Sequence, residues 1–278
     1  MLPTPDTSHV SFDTIYEPSE DSYLFLDTLS SASESKWLHE RFQHDPSPVT
    51  TKPTPLVVEV GTGSGVVLGF VAAHAHEIFG RRDVLTLGTD VNRNACLATR
   101  ETVVTAVQEA QRQQSSTGQS ESDSDSGASK SRTPHISSLT ADLCSPLRPG
   151  CVDVLLFNPP YVPTDDLPRL PSAEENQSAA TESTSRSAKF ESDSFFLSLT
   201  YAGGVDGMET TNRLLDAIPE VLEPSRGVAY VLLCKQNRPE EVMDRIHGWR
   251  GGWRAEIAGS SGMQAGWEKL VIVRIWRG

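Results

Sequence analysis

The apolar run Val152–Phe157 stops on Asn158-Pro159-Pro160-Tyr161, and that stop constrains the chain more than any other stretch. Two consecutive prolines fix φ and remove two backbone donors, so a strand that reaches them has to end there. What stands at its carboxyl end is a rigid set of acceptors. The side-chain oxygen of Asn158 and the main-chain carbonyl of Pro159 can both face a planar amino group, with the Tyr161 ring beside it. That suits a substrate –NH2, whose two hydrogens need two acceptors. An amide or aryl amine nitrogen is a weak nucleophile because its lone pair is delocalised. Drawing on its hydrogens while aligning it against an electrophile is a way to make it react. Taken alone, an ordinary proline-rich turn accounts for these residues equally well.

The order of the remaining elements sets the context. Leu56–Val60 is a short β-branched run, followed by Gly61-Thr62-Gly63-Ser64-Gly65 and by apolar residues at helical spacing over Val66–Phe79. Val84–Thr89 reads as a second strand, Asn92–Ala110 as a helix, Ile136–Thr140 as a third strand and Val152–Phe157 as a fourth. Thr210–Leu222 reads as a helix despite Pro219, then Gly227–Cys234 as a strand and Pro239–His247 as a helix. Trp253–Ile257 and Lys269–Trp276 are the closing strands. Strands alternating with helices predict an α/β fold, a mostly parallel seven-stranded sheet covered by helices on both faces. Ligands of such sheets sit at the carboxyl ends of the strands, near the switch in strand order. The Gly-rich turn and Asn158–Tyr161 both lie at such ends.

The glycines are spaced G-x-G-x-G, which is neither the dinucleotide pattern nor a phosphate loop. Glu59 stands two residues before the first glycine. A carboxylate there repels pyrophosphate and attracts a cation such as an ammonium or a sulfonium. Asp90 ends the second strand, where an acid grips ribose hydroxyls, and Asp142 after the third strand is placed to accept from an adenine amino group. Acids at strand ends also serve as helix caps and turn formers. Four polar residues at successive strand ends, Glu59, Asp90, Asp142 and Asn158, make that explanation inadequate for the set.

This constellation resembles class I S-adenosylmethionine-dependent methyltransferases with their Rossmann-like fold, and the Asn-Pro-Pro-Tyr element narrows it to those that methylate amino groups. Tyr16-Glu17-Pro18-Ser19-Glu20-Asp21-Ser22 and Ala202-Gly203-Gly204, with Gly207 beyond, look like segments of the eukaryotic and archaeal glutamine methyltransferases acting on the GGQ tripeptide of class 1 release factors. The first segment is in any case a helix start, with Pro18 at the entry and acids in the first turn. The resemblance implies that Tyr16, Ser22, Glu59, Gly61, Gly63, Asp90, Asp142, Leu143 and Asn158 hold S-adenosylmethionine, released as S-adenosylhomocysteine. It further implies that Asn158, Pro159, Pro160 and Tyr161 form the catalytic acceptor array. Tyr201 departs from the tryptophan expected before Ala202-Gly203-Gly204. The family works as a heterodimer with a small zinc-binding activator protein, and the third strand, at the sheet edge with Ile136 and Leu139, is the expected contact. The same edge is alternatively shielded by the polar loop before it.

Composition limits the rivals. The formal net charge is −13 with no dense Lys/Arg block, which disfavours a DNA or RNA adenine methyltransferase that must grip phosphates. A protein lysine methyltransferase remains an alternative substrate class. A non-catalytic scaffold subunit is expected to lack one of Glu59, Asp90 or Asn158, and all are present. Cys96, Cys144, Cys151 and Cys234 are scattered, with no C-x-x-C pair, so free thiols and no metal site are expected. The first residues, MLPTPDTSHV, do not read as a secretory signal, and no run approaches a membrane span. The expected setting is the cytoplasm, with the nucleus also open. One methyltransferase domain spans residues 1–278, with a partly irregular stretch at 30–55 that has room for a short helix. Two inserted loops at 111–134 and 171–189 are too polar to order themselves.

Overall fold

Short Val-, Leu- and Ile-rich runs pair into one seven-stranded sheet in the computed structural model, which describes residues 2–42, 53–116, 135–168, 186–262 and 269–278. The strands are β1 (Leu56–Val60), β2 (Leu85–Asp90), β3 (His135–Thr140), β4 (Val154–Phe157), β5 (Val228–Cys234), β6 (Trp253–Ser260) and β7 (Leu270–Arg277). Their spatial order is β3-β2-β1-β4-β5-β7-β6. The first five are parallel, and β7 runs antiparallel to both β5 and β6. Strand order reverses direction between β1 and β4, so the loops leaving those two strands diverge and leave a crevice.

Both faces of the central strands are buried, which is why they read as near-continuous apolar runs rather than alternating ones. Period-2 geometry divides β5 between two cores. Val228, Tyr230 and Leu232 meet α1 (Glu20–Ser30), α2 (Ala32–Phe42), α3 (Val66–Ala73) and α4 (Ala75–Phe79). Ala229, Val231 and Leu233 meet α7 (Glu209–Val221) and α8 (Pro239–His247). The other helices are α5 (Arg93–Ser116), which packs on the α3 side, and α6 (Arg186–Tyr201).

Several boundaries differ from the sequence reading, each for a physical reason. The helix expected over Val66–Phe79 breaks at His74, whose backbone leaves helical geometry and whose ring nitrogen Nε2 lies 3.0 Å from the Pro3 carbonyl. Strand β4 begins at Val154 instead of Val152, because the Asp153 carboxylate takes the Leu56 N–H at 2.8 Å. Helix α5 runs on to Ser116, its Gln-, Ala- and Arg-rich end being adequate helix former, while residues 117–134 lie outside the described residues. Of the stretch 171–189, residues 186–189 open α6 and the rest lies outside the described residues. Within 30–55, α2 fills Ala32–Phe42. At the β3 edge Ile136 is exposed, but Leu139 is half-buried against the second core. Among the described residues no helix is long and apolar enough to cross a membrane.

A buried ion pair pins α2 to the sheet. The Glu34 carboxylate accepts from Arg274 Nη1 at 2.9 and 2.8 Å and from the Tyr230 hydroxyl. The Arg274 guanidinium also lies over the rings of Trp37 (4.2 Å) and Trp276 (4.8 Å). Removing one partner leaves the other charge buried and unpaired, a loss of about 3–5 kcal/mol. Arg274→Ala should therefore lower the urea-unfolding free energy by about that amount. By contrast, Lys36→Ala, which opens the exposed Lys36–Glu40 pair, should change it by less than about 1 kcal/mol. Equal effects from the two variants would contradict this assignment.

Candidate active site

Parallel pairing sets the carboxyl ends of β1, β2 and β4 on one rim of the sheet, and the polar residues of interest follow directly. The Gly61 N–H donates to the Thr89 carbonyl at 2.7 Å, so the chain leaving β1 bends across the end of β2. Asp90 then receives the Gly63 N–H on Oδ2 at 2.9 Å and the Asn92 N–H on Oδ1 at 2.8 Å. Glu59, buried within β1, accepts the Leu68 N–H from the first turn of α3 at 2.9 Å. Gly65 is where the turn meets α5. Its φ is +76°, and a Cβ there would lie 2.6 Å from Thr99 Cα, so only glycine lets the two approach. Thr99 Oγ1 and Thr102 Oγ1 complete the seam by donating to Thr62 Oγ1 (2.8 Å) and the Ser64 carbonyl (2.6 Å).

The two acids are held at an electrostatic cost. Burial pushes the Glu59 carboxyl well above the ordinary carboxylate range, the Leu68 N–H opposes the rise, and nearby Asp90 adds to it. Burial also raises Asp90, against the N–H groups of Gly63, Asn92 and Val91. Carboxyls so placed are stabilised by incoming hydroxyl donors or a cation.

Asn158 stands one residue beyond β4. Its Oδ1 is buried, and among the described residues no donor reaches it. A buried acceptor without a donor is costly and marks a place where a ligand hydrogen fits. The turn carrying it is clamped from behind. Val162 and Ala202 form a parallel bridge, with Val162 N–H to Tyr201 O at 3.0 Å and Gly203 N–H to Val162 O at 2.8 Å. Gly207, at φ +67°, sits so close that an added Cβ would fall 2.0 Å from the Tyr161 carbonyl oxygen. The buried Asn237 ties this region to β5, its Oδ1 accepting the Cys234 N–H at 2.8 Å and its Nδ2 donating to the Asp206 carbonyl at 3.1 Å.

A single cleft collects Tyr16, Ser22, Glu59, Gly61, Gly63, Asp90, Asp142, Leu143, Asn158, Pro159 and Pro160. Tyr161 is the exception. It is not among the lining residues; it packs against the first core and directs its hydroxyl to Asp21 Oδ2 at 3.4 Å. The aromatic residues that line the cleft are instead Tyr16, Phe157 and Phe196 of α6. Asp142 is already engaged, its Oδ2 lying 2.5 Å from Arg213 Nη2. The Thr14–Ser22 segment covers the cleft, anchored by Asn92 Nδ2 donating to the Thr14 carbonyl at 2.8 Å.

Sequence reasoning missed Asp21, Arg213 and Asn237. Asp21 lay inside the quoted lead segment, but the acidic first turn of a helix explained it sufficiently. Arg213 acts on Asp142, 71 positions away, and Asn237 reaches the Asp206 carbonyl, 31 positions away, besides its local contact with Cys234. Among the described residues no group of His, Cys, Asp and Glu is arranged to hold a metal ion.

Comparison with known proteins agrees with this geometry. No protein-family model matches the chain. The Mus musculus protein Methyltransferase HEMK2 is 30% identical over 281 residues, covering 98% of this chain and 96% of its own. The Homo sapiens Methyltransferase HEMK2 is 28% identical over 279 residues, covering 98% and 95%. The eRF1 methyltransferase catalytic subunit mtq2 of Schizosaccharomyces pombe is 26% identical over 280 residues, covering 100% and 96%. With that likeness running from end to end, the chain belongs to the HEMK2 family of S-adenosylmethionine-dependent methyltransferases.

Proposed function

We propose that this chain methylates the side-chain nitrogen of the GGQ glutamine in a class 1 translation release factor, as the catalytic subunit of a heterodimer. The observation that carries the reading is the buried Oδ1 of Asn158, which no donor reaches among the described residues, on the same cleft as Pro159, Glu59 and Asp90. The name of the fission-yeast relative, a catalytic subunit acting on eRF1, supports the substrate class.

The residues present fit the cofactor. Glu59 and Asp90 are acceptors that burial holds in need of donors, as ribose hydroxyls or an ammonium would be. The backbone at Gly63 faces open space, with nothing within 4 Å of an added Cβ. When bound, S-adenosylmethionine supplies a methyl group activated by its sulfonium. Everything else is positioning. Asn158 and Pro159 accept the two amide hydrogens, which fixes the plane of the amide and raises electron density on its nitrogen. The two prolines hold these acceptors without backbone adjustment. No strong base is required, because the nitrogen becomes acidic once methylated and its proton can leave afterwards.

The second subunit is proposed to seat on β3, which among the described residues pairs with β2 and with no other strand. Ile136 is 55% exposed on that edge, and Leu97 and Val104 of the adjacent α5 are 45% and 50% exposed. A small zinc-binding activator protein adding a strand there would cover them.

Four outcomes are expected. Labelled methyl donor should mark a class 1 release factor but not one whose GGQ glutamine is replaced. Asn158→Ala should lower kcat about 10²–10³-fold, and near-normal turnover in that variant would remove the acceptor role. Stability should respond to pH through Glu59 and Asp90. Their folded pKa values are raised, so the folded state holds protons that the unfolded chain has released, and stability of the ligand-free protein falls as pH rises from about 4 through the folded values. Glu59→Gln should flatten that fall in urea titrations at pH 5 and pH 8 while weakening S-adenosylhomocysteine binding; an unchanged slope would count against the buried carboxylate. Finally, Ile136→Glu should abolish co-purification with the activator and leave cofactor binding intact, whereas an undiminished complex would place the partner elsewhere.

A further inference from the structure

Asp21 is among the most buried acids of the molecule, 2% exposed, and it lines the cleft. Its Oδ2 receives two tyrosine hydroxyls. Tyr16 Oη, from the segment covering the cleft, is at 2.9 Å, and Tyr161 Oη, from the end of the acceptor turn, is at 3.4 Å. Its Oδ1 receives the Ser22 N–H at 2.6 Å, the Ser22 hydroxyl at 3.2 Å and the Ser19 hydroxyl at 3.3 Å. Ser19 in turn lies 2.7 Å from Tyr16 Oη, and it forms no side-chain cap on α1 although it occupies the capping position. The sequence places Tyr16 and Tyr161 far apart. One carboxylate joins them.

We infer that Asp21 is a positioning residue that couples the segment covering the cofactor cleft to the Asn158–Tyr161 acceptor turn, so that seating the cofactor also sets the amide acceptors. Three observations carry this. The Tyr161 ring is turned away from the cleft, so its hydroxyl contact with Asp21 serves the turn and not a ligand directly. Tyr16 and Ser22, the two residues flanking Asp21 in the cover, do line the cleft, so a ligand bearing on them bears on the carboxylate as well. The bridge also relies on a group that accepts on both sides, Oδ1 taking the Ser22 N–H and Oδ2 the two tyrosine hydroxyls. An asparagine can accept on one side alone, and its –NH2 would then face either the Ser22 N–H or the tyrosine hydroxyls. The inference rests on the reading of Asn158 and Pro159 as acceptors for a substrate amide.

The test uses the full chain and S-adenosylhomocysteine as probe. Hydrogen exchange of the segment 157–168 is followed with and without the probe, beside calorimetric binding and kcat on release factor. In the wild-type chain, probe binding should slow exchange across 157–168. In Asp21→Asn that protection should be lost. Should Asp21→Asn fold poorly, Tyr161→Phe, which removes one hydroxyl and leaves the cleft lining intact, should show the same loss with probe affinity within about threefold and kcat down about tenfold. A Tyr16→Phe/Tyr161→Phe pair should be less than additive in kcat, because both act through one carboxylate. Full protection in Asp21→Asn or Tyr161→Phe, or no protection in the wild-type chain, would overturn the coupling. Protection coupled through Asp21 without methylation of release factor would leave the coupling standing and remove the substrate assignment instead.

Discussion

The site depends on one register. Strand β1 lies parallel to β4 with Val60 opposite Phe157 and Glu59 opposite Leu156, so Gly61 and Asn158 become the first residues beyond adjacent strand ends. A slip by one residue would exchange the faces on which every β4 side chain sits, placing core residues in the cleft. Leu155 and Leu156 are both essentially fully buried, in different cores. A slip would carry Asp153 or Asn158 into a β4 position buried between those cores, and that forbids it. Glu59, Asp90 and Asn158 thus line one cleft because of the apolar packing underneath them.

Against that rigid base the polar residues are held out of their preferred state. Glu59 and Asp90 are raised by burial, and Asn158 Oδ1 lacks a donor among the described residues. A chain optimised for stability alone would not keep such groups together. Their retention is intelligible if ligands supply the missing partners: hydroxyls for the acids, amide hydrogens for the asparagine. The supporting parts behave in the opposite way. Asn237 and the Glu34 carboxylate find their hydrogen-bond partners within the fold, and they hold still the elements on which the site is built.

Much of this was legible before the structure. Seven strands, their alternation with helices and the polar residue at each strand end follow from short β-branched runs and from glycine and proline chemistry, which act locally. The likeness of motifs to the release-factor glutamine methyltransferases singled out residues that, Tyr161 apart, line one cleft. What escaped was non-local. The break at His74 depends on a carbonyl contributed by Pro3. The engagement of Asp142 by Arg213, and the turning of Tyr161 toward Asp21, depend on partners that only the folded chain brings close. The extension of α5 to Ser116 shows a subtler limit: polarity forecasts poor burial, yet Gln, Ala and Arg still favour helix.

The central claim is a division of labour within one cleft: acids hold the cofactor, and the Asn158 turn holds the acceptor amide. Calorimetric titration of the full chain with S-adenosylhomocysteine, comparing Asp90→Ala with Asn158→Ala, tests it most directly. Loss of hydrogen bonds to a charged group is worth about 1.5–3 kcal/mol, so Asp90→Ala should weaken binding roughly 10-fold to 150-fold. Asn158→Ala should leave affinity within about threefold, since its acceptor faces the amide that this ligand lacks. Equal weakening by both substitutions, or an Asp90→Ala chain that binds normally, would contradict the account.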